Sequence, residues 1–205
     1  MDNLEKLTDF FVESNKLKRT MRYSSCPPKI QESSAGHSWQ VTLMVPIIAR
    51  NFGLTLDVQH AMEIASVHDL AEYVDEKDYD SYLMSIGVLS EAEKDKSEEL
   101  VMTMIRERYN FGSTIYSLWR EYQDCKTPEA RYVKALDKLE SHLHVIERDG
   151  TGSDSFDARH QALYADEAVR NFPELKPFLR AIKKRLRVVL EKQGLVWKEE
   201  YNYPD

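Results

Sequence analysis

The run from His37 to Phe52, HSWQVTLMVPIIARNF, is apolar around almost the whole of a helical wheel. A helix with no polar face has nowhere to meet water, so other elements must wall it in. The chain therefore has to supply several covering helices. Asn51-Phe52-Gly53 ends the run with a glycine stop, and Pro46 inside it predicts a kink or a local break.

The covering helices are legible. Leu4, Leu7, Phe10, Phe11 and Leu17 recur at helical spacing and predict an amphipathic helix over residues 3–18. Asp57 caps a helix over about 58–73, Ser90 with Glu91 and Glu93 opens one that runs to about Tyr109, and a short one covers 113–123. Thr127-Pro128-Glu129 is a helix start, with Tyr132, Leu136, Leu139, Leu143 and Ile146 as its stripe. Two further helices are expected at about 156–170 and 174–193, followed by a polar tail.

With only 7 Gly and 7 Pro in 205 residues, and with no strand-like alternation or internal repeat, the fold class is all-α. Arg19 to Ser34 holds Cys26-Pro27-Pro28 and four serines and reads as a long functional loop. Residues 75–82 read as an acidic turn. The segment after the loop at 149–155 is too short for its own core. Residues 1–205 are therefore read as a single domain, with a core of about 17–146 and helices at about 156–193 packed on it.

At 42% hydrophobic and 31% charged the chain is globular rather than disordered. Its formal charge of −7 disfavours a nucleic-acid partner, although a local Lys/Arg cluster can still hold a small anion. Two cysteines without a CxxC suit a reducing compartment. The start, MDNLEKLTDFF, lacks the basic and apolar regions of a signal peptide, and no apolar run approaches the roughly 20 residues that span a bilayer. The expectation is a soluble cytoplasmic protein with no membrane partner.

Chemistry concentrates on few residues. His68-Asp69 sits at the polar end of an apolar helix, with Glu72 one turn further along the same face. His37 begins the apolar run. Asp137 flanks Leu136 at the edge of a buried face, where a carboxylate needs a partner that a metal ion could provide. Taken alone, a lone histidine at a helix start is more often a capping or packing residue, and an aspartate near a helix seam is more often a salt-bridge partner, than a metal ligand.

In order along the chain, LKRT, ESSAGHSWQV, ASVHDLAE and TPEARYVKALDKLE resemble the HD-domain phosphohydrolases, in the 5′-deoxynucleotidase-like branch, from about Leu17 to Leu143. The resemblance implies a helical bundle in which His37, His68, Asp69 and Asp137 ligate one divalent transition metal (Mn, Co, Fe, Ni or Zn). It implies hydrolysis of a small nucleotide, first a nucleoside 5′-monophosphate, with the metal activating a bound water and polarising the phosphoryl group. A triphosphohydrolase and a catalytically impaired nucleotide-binding regulator are the alternatives. Glu72 matches the catalytic carboxylate of the HDxxE pattern, with a role in proton transfer. Arg19 and Lys134 match basic residues that pair with phosphate. A homodimer is also implied.

The match has departures. The family's Gly-Asp pair after HDxxE is missing from Glu72-Tyr73-Val74-Asp75-Glu76-Lys77-Asp78, leaving Asp75 or Asp78 as its replacement. Gly36 stands where Glu is frequent, and Thr20 stands where some deoxynucleotide-selective members carry an aromatic residue, so sugar preference stays open. Trp39, Trp119 and Tyr122 are expected in the core. Arg180, Lys183, Lys184, Arg185 and Arg187 are expected on a solvated face, and His60, His142, His144 and His160 at the surface or in packing.

Overall fold

A computed structural model describes residues 3–74, 76, 78–150 and 158–203. Asp75, the loop residues 151–155 and the expected helix start at 156–157 lie outside the described residues. The first helix, α1 (Asn3–Ser14), passes into a 3-10 turn at Asn15–Lys18. Two short strands follow, β1 (Met21–Arg22) and β2 (Glu32–Ser33), and then α2 (Ser34–Phe52), α3 (Val58–Val67) and a 3-10 turn at Leu70–Tyr73. The remainder is α4 (Ser81–Ser85), α5 (Glu91–Arg108), α6 (Gly112–Asp124), α7 (Pro128–Glu147), α8 (Ala158–Leu163), α9 (Asp166–Arg170) and α10 (Lys176–Lys192). The fold is an all-α bundle. None of the described helices is long and apolar enough to cross a membrane.

Caps set the main boundaries. Asp57 accepts from His60 N, Ser90 from Glu93 N, and Thr127 from Ala130 N, each meeting an orphan donor of a first turn. α2 starts earlier than the apolar run suggests, because Ser33 accepts from Gly36 N at 3.0 Å. It runs unbroken through Pro46 to a left-handed Gly53. The expected 156–170 helix is two short ones, α8 and α9.

The helix walled in by the others is α7, not α2. α7 is buried on almost every side and packs against α2, α3, α6, α9 and α10. α2 turns Val41, Met44, Val45 and Ile48 inward, whereas Trp39, Leu43 and Ile47 stay 65%, 41% and 57% exposed. The expectation for Trp39 fails because it lies one turn before Leu43 on that outer face. Trp119 and Tyr122 are buried as expected.

Three further expectations are corrected. Lys183, counted in a solvated basic face, is buried and pairs with Asp166 at 2.6 Å, because a buried ammonium needs a carboxylate. The polar tail folds back, burying Tyr201 and Tyr203, and the Tyr201 carbonyl accepts from Lys183 Nζ at 2.7 Å. The stretch read wholly as a loop contains an antiparallel pair that places Arg22 opposite Glu32.

Candidate metal centre

The last turn of α3, the first turn of α2 and the middle of α7 meet where the bundle is deepest. His68 leaves α3 at its C-cap, and its Nδ1–H donates to the Ala65 carbonyl at 2.8 Å. That bond assigns the neutral tautomer and turns the Nε2 lone pair inward. His37 is fully buried with Nδ1 in short contact with Glu140 Oε2, so its Nε2 also faces inward. The two Nε2 atoms stand 3.4 Å apart.

Asp69 Oδ2 lies 3.3 Å from His68 Nε2 and 3.7 Å from His37 Nε2. Donor atoms of His37, His68 and Asp69 all fall within 4.8 Å of one another, and Asp137 Oδ1 adjoins at 3.1 Å from His37 Nε2. Ligands at about 2.1 Å from one ion are separated by about 3.0–3.4 Å at octahedral or tetrahedral angles. The spacings of 3.1, 3.3 and 3.4 Å fall in that range and the fourth, 3.7 Å, lies just beyond it, and two nitrogens and two carboxylate oxygens suit a divalent transition ion.

The electrostatics ask for a cation at this point. Burial pulls the His37 imidazole down, as does Arg22, but Glu140 and Asp137 reverse this and push it up to about 10. Burial raises the Asp137 carboxyl, yet Lys138 and the two histidines hold it well below its usual range. Its other oxygen, Oδ2, is fixed by the Tyr122 hydroxyl at 2.5 Å and by Lys138 Nζ at 3.0 Å. Arg22 Nη1 contacts Asp69 Oδ2 at 3.3 Å. Each of the four side chains is therefore held by an atom or group outside the cluster, which orients ligands and tunes their basicity.

The HD-domain profile matches residues 14–176. The chain belongs to the HD-domain family. It is 31% identical over 148 residues to "5'-deoxynucleotidase HDDC2" of Danio rerio, covering 70% of each chain. To the Homo sapiens protein of that name it is 27% identical over 151 residues, covering 69% of this chain and 67% of the other. The fold resembles that of a "Predicted metal-dependent phosphohydrolase" from Magnetospirillum magnetotacticum MS-1, with TM-score 0.66 and 22% identity over 98% and 96% of the two chains. The PH0347 protein of Pyrococcus horikoshii OT3 gives TM-score 0.66 and 26% identity over 89% and 99%.

In this HD-domain chain a pocket of ≈ 70 Å³ opens over His68, Asp69 and Asp137 and shares a wall with an outer chamber of ≈ 720 Å³. Glu72 lines the inner pocket. It is buried, its Oε2 lacks a hydrogen-bond partner among the described residues, and burial with Asp69 and Asp78 raises its carboxyl well above the usual range. Asp78 lines the same pocket, whereas Asp75 lies outside the described residues.

Lys134 and Lys138 line both cavities, as does Lys94 of α5. Lys134 Nζ sits 4.0 Å over the Tyr122 ring. Burial, then Lys138 and Lys94, lowers its ammonium to about 8 against the pull of Asp137.

Arg19 is not brought into the site. Its side chain is 63% exposed, pairs with Glu76 at 3.3 Å and does not line either cavity. It follows the 3-10 turn outward. Arg22, three residues on, is the buried guanidinium at the site, carried there by β1.

Sequence reasoning also missed the roles of Tyr122, Glu140 and Glu32. A signal existed for part of this. Lys134, Asp137, Glu140, Ser141 and His144 recur every three or four residues as one polar stripe on a helix that is otherwise apolar.

Proposed function

We propose that this HD-domain protein is a divalent-metal-dependent phosphohydrolase that removes phosphate from a nucleoside 5′-monophosphate. The observation that carries the reading is the His37–His68–Asp69 donor cluster with Asp137 beside it, opening on a pocket that also contains a buried carboxyl and lysines. The curated relatives' name is what points to a nucleotide. Mn, Co, Fe, Ni and Zn all suit the donor set.

A divalent ion held by His37, His68, Asp69 and Asp137 supplies Lewis acidity, activating water and polarising the phosphoryl group. Lys134, with its ammonium free of any carboxylate in ion-pair range among the described residues, binds the phosphate oxygens. Arg22 holds Asp69 in place. Glu72 moves a proton, and its raised carboxyl supports donation to the leaving ribose oxygen. Asp78 takes the place of the family's Gly-Asp carboxylate.

The chain acts as one domain. Ala165, Val169, Leu175, Leu179 and Ile182 join the same core as Val133, Leu136 and Leu139, which supports that reading. It pairs as a homodimer through α2. Trp39, Leu43 and Ile47 form an outer apolar stripe that a two-fold axis near Leu43 would match to itself, Trp39 meeting Ile47. Two free thiols, Cys26 and Cys125, suit the reducing cytoplasm.

The test is product analysis with Mn or Co present. Orthophosphate from dAMP or AMP is the expected product. Triphosphate from dATP, with the monophosphates untouched, overturns the monophosphatase reading in favour of a triphosphohydrolase.

A further inference from the structure

Behind the donor cluster lies a second layer of charge, whose two carboxylates, Glu140 and Glu32, line neither cavity. Glu140 is one turn beyond Asp137 on α7 and is buried, with Oε2 against His37 Nδ1. Glu32 approaches from β2, with Oε1 4.0 Å from the same nitrogen and Oε2 3.3 Å from His144 Nδ1. Arg22, its cross-strand partner, places Nε 3.5 Å from Glu32 Oε1 and sends Nη2 to Ser141 Oγ at 3.1 Å. Two carboxylates, Glu140 buried and Glu32 partly so, converge here on one imidazole, with Arg22 to balance them.

We propose that Glu140 is a positioning residue, clamping His37 at Nδ1 so that Nε2 alone is presented to the divalent ion, while the Arg22–Glu32 pair closes the charge balance behind it. The proposal rests on His37 being a metal ligand. An imidazole can offer either nitrogen, and the partner of one decides which nitrogen ligates. A carboxylate behind the ring also raises its basicity toward the metal. Without Glu140 the carboxylate left in ion-pair range of Nδ1 among the described residues is Glu32, at the longer distance of 4.0 Å. The two-residue ladder thereby acquires a purpose: it is the shortest device that sets Arg22 and Glu32 face to face beneath α2.

The experiment titrates Co²⁺ and Mn²⁺ into chelator-treated wild type, Glu140→Gln and Glu140→Ala, with calorimetry for affinity and the visible absorption of Co²⁺ for ligand geometry. Circular dichroism and thermal unfolding of the metal-free proteins report the fold. Glu140→Ala is expected to weaken Co²⁺ binding by about 10–100-fold and to shift its absorption bands. Glu140→Gln keeps the shape and loses the charge, so it tests the proposal even if the alanine variant fails to fold; it too should bind more weakly. Wild-type affinity and spectrum in a folded Glu140 variant would overturn the proposal. Failure of the wild type to bind either ion would remove the metal reading itself, a different result.

Discussion

His37 Nε2 and Asp137 Oδ1 stand 3.1 Å apart in the interior, on two buried side chains. In the absence of an ion a proton holds them together, because burial of a bare carboxylate beside a lone pair is costly. With the imidazole pushed up to about 10, that proton is present at neutral pH. Metal must displace it. Calorimetry at pH 7.5 in buffers of different ionisation enthalpy should show release of about one proton per ion bound. Affinity should rise with pH over the range from 7 to 9, and proton-neutral binding would contradict this assignment.

Lys134 carries a pH signature of its own. Its ammonium, lowered to about 8, is charged below that value and neutral above it. Phosphate binding should weaken as pH rises through 8, seen as a climbing KM for dAMP. Lys134→Met should raise KM by about 10–100-fold at pH 7, the loss of one charge-assisted hydrogen bond of about 1.5–3 kcal/mol, and should flatten the profile. An unchanged KM would remove Lys134 from the phosphate site.

His142 should govern part of the acid stability. It is buried, with Nε2–H donating to the Gln161 carbonyl, and burial lowers its imidazole to about 4. The unfolded chain takes up a proton near 6.5 that the folded chain refuses until about 4. The stabilisation is thus complete above 6.5 and is lost as pH falls toward 4, by about 3 kcal/mol. Thermal unfolding of His142→Gln between pH 7 and 4.5 should slope less steeply than that of the wild type. Equal slopes would count against the assignment.

The apolar stripe on α2 predicts an oligomeric state. Leu43→Glu places a charge at the centre of the proposed two-fold contact and should give a monomer by light scattering, with wild-type helicity. A dimer that survives the substitution rules out this face.

These residues also mark how far the sequence could be read. Caps at Asp57, Ser90 and Thr127 and the stripe of α7 were visible because they depend on neighbours within one turn. The exposure of Trp39 was not, since an apolar residue looks the same whether a helix is covered on three sides or on all. Arg22 escaped notice because its burial depends on a pairing with Glu32 that no local pattern announces. His68, Asp69 and Glu72 could be grouped from spacing alone. Glu140 could not be tied to His37 across 103 positions without the bundle that brings them together.

The most direct test measures orthophosphate released from dAMP by chelator-treated protein, before and after Mn²⁺ or Co²⁺ is restored, in wild type and in Asp69→Ala. The wild type should fall silent on chelation and recover on addition of the ion, while Asp69→Ala stays inactive with either. Hydrolysis that persists through chelation, or that survives loss of Asp69, would contradict a metal-dependent site built on these four residues.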